Sequence, residues 1–316
     1  MTGEAPLVSV ITANYNGARW LPAAVRSVLS QTLTSFELII ADDASTDDSL
    51  AVVAEAARGD PRVRVLRARS NGGPARARNR ALKVARGRFI AVFDGDDLMA
   101  PERLQKMVAR ARVEHADIVV DNLLVFSDGE DAPWKPLLCA KAWDHPRWIT
   151  LADYIASSRM YAREPGLGYL KPMFSAEVLK GQRYREDLRI GEDYDLVLRL
   201  LARGARMRFL PDAWYRYRKH GGSISHALRR EHILSMLAAD AELEAVMRGQ
   251  CAEARRAQVL RRRSLETALV YDEVIASLKA RAVGHAIAAC AAEPAVWPLL
   301  AMPVKARLRR LTQAPA

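Results

Sequence analysis

Between residues 7 and 124, short apolar, β-branched runs alternate with longer stretches of helical period, and few architectures accept that rhythm. Residues 7–13, 36–41, 63–66, 89–93 and 118–124 read as strands. Helical periods fall at 21–30, 47–57, 75–85 and 101–114, the last with Pro101 in its first turn, where a missing N–H does no harm. Repeated strand–helix alternation predicts an α/β fold: a mostly parallel sheet with helices on both faces. A chain of 316 residues, half of them hydrophobic, fills such a core; it is neither a stapled miniprotein nor a disordered polymer.

The rhythm stops between 127 and 170, where Trp134, Trp143, Trp148, Tyr154, Tyr161 and Tyr169 stand among prolines and glycines. Long aromatic loops beside a sheet usually line a binding site. A helix at 193–202, a strand at 206–210 and a basic Gly/Ser segment at 216–226 follow. Beyond Ala227 the chain turns Ala/Arg/Glu-rich and helical to about residue 282, with the run Arg261-Arg262-Arg263, so a domain boundary is expected near Ala227. Residues 286–304 are nearly all apolar, but Glu293, Pro294, Pro298 and Pro303 break any continuous span. Two readings stay open: a bundle helix with a proline-broken tail, or an interfacial membrane contact assisted by Lys305, Arg307, Arg309 and Arg310.

Cys139, Cys251 and Cys290 lie far apart without metal-ligand spacing, which fits a reducing compartment; the amino terminus lacks the basic n-region of a secretory signal, so a cytoplasmic location is expected. Forty-eight Lys and Arg against 37 Asp and Glu give a net charge of +11 and call for an anionic partner. Charge sign alone does not separate nucleic acid, acidic lipid and a phosphorylated small molecule.

Two acidic clusters decide more. Asp42-Asp43 and Asp94-Gly95-Asp96-Asp97 each follow a predicted strand, and the carboxyl ends of parallel strands share one edge, where open α/β folds place ligands. Three carboxylates within four residues repel one another unless a donor or cation intervenes, and hard oxygen ligands suit Mg²⁺ or Mn²⁺, which would in turn hold a diphosphate. Taken alone, either cluster is also compatible with a polar turn that caps the next helix. Carboxylates gathered in a cleft would repel a nucleic-acid backbone, so no nucleic-acid partner is expected.

Four blocks occur in a fixed order: VSVITANYNGARWLPAAVRSVLSQT, ELIIADDASTD, NGGPARARNRALKVARGRFIAVFDGDD and GEDYDLVLRLL. Through them the chain resembles family 2 glycosyltransferases of GT-A fold, of the bacterial cell-surface polysaccharide type, over about residues 6–226. The resemblance implies a Rossmann-like domain at 1–226, with a nucleotide-sugar half at about 6–125 and an acceptor half at about 126–226. The helical region 227–316 is then expected to touch a membrane or another copy. It also implies an inverting, metal-dependent transfer from a nucleotide-sugar, most simply a UDP-sugar, to a glycan or lipid-linked acceptor. Tyr15 would stack on the base beside Ala13, and Asp43 would accept the imide N–H. Asn71, Gly73 and Arg78 would line the diphosphate; Asp94 and Asp96 would reach ribose and metal, with Asp97 as support or a second metal ligand. Asp193, with Glu192 beside it, would be the general base. Arg218 and His220, in the stretch 217–225, would sit on a flexible basic loop that folds over the phosphates. A nucleotidyltransferase, or a basic module without turnover, are the alternatives from other classes.

Overall fold

The computed structural model describes residues 5–128, 134–221 and 228–302. Its first half alternates as the apolar runs dictate: β1 (Val8–Asn14), α1 (Leu21–Leu29), β2 (Phe36–Asp42), α2 (Ser49–Ala57), β3 (Val63–Arg67), α3 (Pro74–Val84) and β4 (Phe89–Val92). β1, β2 and β4 are covered on both faces, which is why they carry apolar runs rather than a clean alternation. Proline opens α1 and α3 within their first two positions, where it loses no hydrogen bond.

A two-residue β5 (Leu98–Met99) leads into α4 (Arg103–Glu114) and the long β6 (Ile118–Ser127). Pro101 lies just outside α4, in the turn before its cap Glu102, rather than in the helix as the sequence suggests. The aromatic middle holds β7 (Lys135–Pro136), β8 (Arg147–Ile149), α5 (Leu151–Ser157) and β9 (Met173–Ser175); α6 (Glu192–Ala202) and β10 (Met207–Lys219) follow.

The main path of the sheet runs β3-β2-β1-β4-β9-β6-β10-β5, with β7 on β6 and β8 on β10. The long ladders, β3-β2-β1-β4 and β6-β10, are parallel. Three-residue β9 runs antiparallel to both β4 and β6 and joins the two halves. The chain winds outward from β1 to β3 and then crosses back to β4, so a crevice opens beyond the carboxyl ends of β1 and β4.

β10 overturns one expectation. Residues 216–219 are not a flexible loop; they pair with Leu124–Ser127 of β6, after a register shift between Leu210 and Tyr215. Tyr215, buried, and Tyr217, half-buried, lie on one face of the strand, and the ladder to β6 is what keeps the segment in the sheet. Gly222, Ser223, Ile224, Ser225 and His226 lie outside the described residues, as do Pro303, Lys305, Arg307, Arg309 and Arg310.

Helices α7 (Arg230–Glu242), α8 (Glu244–Arg248), α9 (Ala252–Lys279) and α10 (Val283–Ala292) complete the described chain, ending in a 3₁₀ segment at Pro294–Leu300. Leu243, Met247, Ala254 and Ala257 belong to the main core, whereas Val274, Ala286, Cys290 and Val296 form a separate small cluster. Among the described residues, no helix is long and apolar enough to cross a membrane.

Candidate active site

Beyond the carboxyl end of β1, Tyr15 leaves its ring 53% exposed, next in line after half-buried Ala13 and buried Asn14. At the end of β2 the Asp43 carboxylate is buried and accepts the N–H groups of Gly72 (2.8 Å) and Gly73 (2.7 Å) on one oxygen. Arg80 donates to the other at 3.0 Å. Asp43 therefore anchors the turn that starts α3, and that turn needs glycine: Gly73 caps the helix at φ +87°, a conformation other residues rarely adopt. Asn71, exposed, precedes this turn.

α3 then projects Arg78 into the crevice, where it is almost wholly buried. Its guanidinium meets Asp94 (2.8 Å), Glu192 (2.8 Å) and Asp193 (3.4 Å). Burial alone would lower its pKa, but Asp193, Asp94 and Glu192 hold it well above the ordinary arginine value. The next residue, Asn79, accepts the backbone N–H of Tyr184 and donates to its carbonyl, both at 2.9 Å, and the Tyr184 ring lies 5.6 Å from the Arg78 guanidinium.

Beyond β4, the three aspartates have different surroundings. Asp94 accepts from Arg78 and from the Lys171 ammonium at 2.6 Å. Burial pushes its pKa up, but Lys171 and Arg78 outweigh it and keep the group ionised well below the usual carboxylate range. The Asp96 carboxylate, the most open of the three, pairs with His220 Nε2 at 2.9 Å, and the His220 ring lies 4.0 Å from that of Trp20. Asp97 is 1% exposed; Tyr215 Oη and the Arg218 N–H each donate to it at 2.7 Å. Burial first, then the charges of Asp96 and Asp94, push its pKa well above normal. One oxygen from each of the three carboxylates lies within 4.8 Å of the others.

The acidic pair opens α6, where the helix dipole favours negative charge. Gly191 caps it at φ +92°, again a backbone state suited to glycine. Burial and neighbouring Asp193 push Glu192 up to about 7 against the pull of Arg78. Lys171 reaches Asp193 at 3.8 Å, so Arg78 and Lys171 both stand between Asp94 and Asp193.

Of the residues singled out in the sequence, Arg78, Asp94, Asp96, Asp97, Glu192, Asp193, Arg218 and His220 meet in one connected network. Asp43 and Gly73 support the helix that feeds it, and Ala13, Tyr15 and Asn71 lie along its rim. Arg218 is held by β10: it donates to the Asp96 carbonyl (2.7 Å) and Asp128 (2.8 Å) and covers Phe126 at 4.6 Å. Sequence reasoning missed Lys171, Tyr215, Asp128 and Trp20. The one signal for Lys171 was a lysine before Pro172 in an apolar stretch; buried lysines are rare without a partner.

The profile of the family described as glycosyl transferase family 2 matches residues 9–166. Succinoglycan biosynthesis protein ExoO of Rhizobium meliloti (strain 1021) is 39% identical over 313 residues, covering 98% of this chain and 88% of its own. The chain belongs to glycosyl transferase family 2. Succinoglycan biosynthesis protein ExoU of the same strain is 35% identical over 245 residues, 76% of this glycosyltransferase and 70% of that relative. Staphylococcal (S. aureus) TarS 1–349 in complex with UDP-GlcNAc superposes with a TM-score of 0.64 at 25% identity, covering 80% and 70% of the two chains. A mannosyltransferase from Pyrobaculum calidifontis, in complex with GDP-Man and Mn²⁺, matches in fold with a TM-score of 0.60 at 20% identity, covering 96% and 81%. The GT-A fold and the enzyme class implied by the four blocks are thus those of this glycosyltransferase. Lys171, Glu192, Asp193 and Arg218 lie beyond the profile match but within the extent of the ExoO alignment, which spans nearly the whole chain.

Proposed function

We propose that this glycosyltransferase moves a sugar from a nucleoside-diphosphate donor, a UDP-sugar, to a hydroxyl of a growing polysaccharide or lipid-linked glycan, with inversion at the anomeric carbon. The observation that carries this reading is the shared cationic bridge: Arg78 and Lys171 contact Asp94 on the donor side and Asp193 at the start of α6. One carboxylate group faces the leaving diphosphate and another the incoming hydroxyl, within one cleft. The names of ExoO and ExoU and the UDP-GlcNAc held by TarS support the polymer and the nucleotide.

In this reading Tyr15 stacks on the base, its exposed ring being open to a ligand, and Asp43 and the turn at Asn71–Gly73 border the nucleotide. Asp193 accepts the hydroxyl proton as the acceptor oxygen bonds to the anomeric carbon; the bond to the diphosphate breaks, and the nucleoside diphosphate leaves with the electron pair. Arg78, itself paired with Glu192, fixes the Asp193 carboxylate, and Arg218 and His220 hold Asp96 in place.

The acidic triad fits a divalent cation: hard carboxylate oxygens, close enough to converge, with the Asp97 pKa pushed up by burial and then by the charges of Asp96 and Asp94. Asp96, the most open, would hold Mn²⁺ or Mg²⁺, with Asp94 and Asp97 beside it. When bound, such an ion offsets charge that develops on the diphosphate oxygens. The family assignment leaves nothing to favour a nucleotidyltransferase or a module without turnover. A panel of UDP-, GDP- and dTDP-sugars with Mn²⁺, read by released nucleoside diphosphate, tests the proposal. Release from a UDP-sugar, lost in Asp96→Ala, is expected; release from GDP-sugars alone would overturn the donor assignment.

A further inference from the structure

The last described helix is built backwards for a soluble surface. α10 buries Ala286 and Cys290 against α9, and on its outer side Val283, Ile287 and Ala291 form one exposed row, with Gly284, Ala288 and Ala292 beside it. The row continues through Pro294, Ala295, Trp297 and Pro298 to Met302, all exposed. Val283 is 54% exposed, Ile287 56% and Trp297 51%, and it is their grouping in one stretch, rather than scattered singly, that marks the face. Besides the buried Cys290 thiol, two ionisable groups occur in this stretch, and neither offers a free charge to the face. Glu293 is buried and paired with Arg263, and His285 pairs with Glu273 at 2.9 Å.

Apart from Glu273, which pairs with His285, the charges nearest the stretch in sequence are basic. Exposed Lys279 and Arg281 precede α10, and the sequence continues with Lys305, Arg307, Arg309 and Arg310. From Val274 to Ala316, Glu293 is the one acidic residue. An apolar face with an aromatic belt residue, with Lys279 and Arg281 at one end and a basic sequence following the other, matches an anionic lipid surface: the apolar side chains enter the acyl boundary and the cations meet headgroup phosphates. A second copy of this chain would instead bring the same cations rather than the anions they call for. The small cluster of Val274, Ala286, Cys290 and Val296 is separate from the main core, so the device stands apart from the active cleft.

We infer that the α10–Leu300 face docks this glycosyltransferase on membranes rich in anionic lipid. The test uses the full chain and vesicles of phosphatidylcholine with or without phosphatidylglycerol, read by flotation. Flotation is expected with the anionic vesicles at low salt and not with phosphatidylcholine alone, and should fall steeply as salt rises. Ile287→Asp combined with Trp297→Ser should weaken partition about tenfold or more, and Arg309→Gln with Arg310→Gln should weaken it less. Both variants change exposed or terminal positions, and an unchanged thermal midpoint checks that they fold. Absence of flotation at low salt, or equal flotation of the Ile287→Asp/Trp297→Ser variant, overturns the inference. A dimer that this variant dissolves, in a protein that ignores vesicles, also overturns it and assigns the face to a second copy.

Discussion

Arg78 and Lys171 stand between acidic groups that would otherwise drive one another apart, and each of the two cations is paid back by more than one carboxylate. Lys171 is buried with its ammonium 2.6 Å from Asp94, and burial, which would lower its pKa, loses to Asp94 and Asp193, which hold it above the ordinary lysine value. Lys171→Met keeps the stem and removes the charge. It should lower kcat/KM for transfer on the order of a hundredfold by freeing Asp94 and Asp193 to repel, and should do so at every pH where the enzyme works; steady-state assays check this, and a loss under about threefold would count against the bridge.

Glu192 gives a pH-dependent counterpart. Its folded pKa, about 7, lies above the ordinary 4.5, so the folded chain binds this proton more tightly than the unfolded one. The stability it contributes is complete below about pH 4.5 and lost as pH rises through about 7. Glu192→Gln removes that dependence: relative to the parent, the variant should gain on the order of 2 kcal/mol between pH 5.5 and pH 8 in urea unfolding. An equal difference at both pH values would contradict the assignment. At this scale the sequence was informative where side chains sit beside a strand end, as with Asp94 and Asp96, or open a helix, as with Asp193. It gave only a weak signal for Lys171, whose role depends on the antiparallel strand that follows it rather than on any spacing in its own stretch.

The elements explain how these groups are held. Arg103, at the start of α4, and Asp121, on β6, form a wholly buried ion pair at 2.8 Å. Arg103 also donates to the Lys171 carbonyl at 2.6 Å, and Asp121 accepts the Tyr215 N–H at 3.0 Å. One pair thus fixes the strand leading into β9 and the bulge of β10, and through them Lys171 and the Tyr215 hydroxyl that binds Asp97. Asp121→Ala should cost about 3–5 kcal/mol, because it leaves a buried guanidinium without its anion. Chemical denaturation checks it; a loss below about 1 kcal/mol would show that the pair is not what joins these strands. The apolar runs made β1, β2, β4 and β6 legible, since strands buried on both faces announce themselves. β9 was not, because three residues carry no period, and β10 was cut short at Leu210 because Pro211 and Asp212 at its bulge look like a turn.

At the scale of the molecule, the sheet has a parallel half, which positions Tyr15, Asp43 and the aspartate triad, and a half built on β6 and β10, joined to it by β9. The cleft lies where they meet, with α6 delivering Glu192 and Asp193 from the far side. The C-terminal helices reach this cleft as well: Arg261 of α9 pairs with Asp240 of α7 and covers the Tyr194 ring, one residue after Asp193, at 4.2 Å. Composition announced the helical tail but not that its first part shares the main core, since an Ala/Arg/Glu pattern reads the same whether a helix stands free or packs through Ala254 and Ala257.

The central claim is a division of labour, with the aspartate triad holding the donor and Asp193 serving the acceptor. Asp193→Asn separates the two, read as donor affinity by calorimetry with Mn²⁺ alongside the transfer rate on the same preparation. The account predicts donor binding within about twofold of the parent and transfer reduced by a factor of about a hundred or more. A variant that still transfers the sugar at the parent's rate, or one that no longer binds the donor, would contradict it.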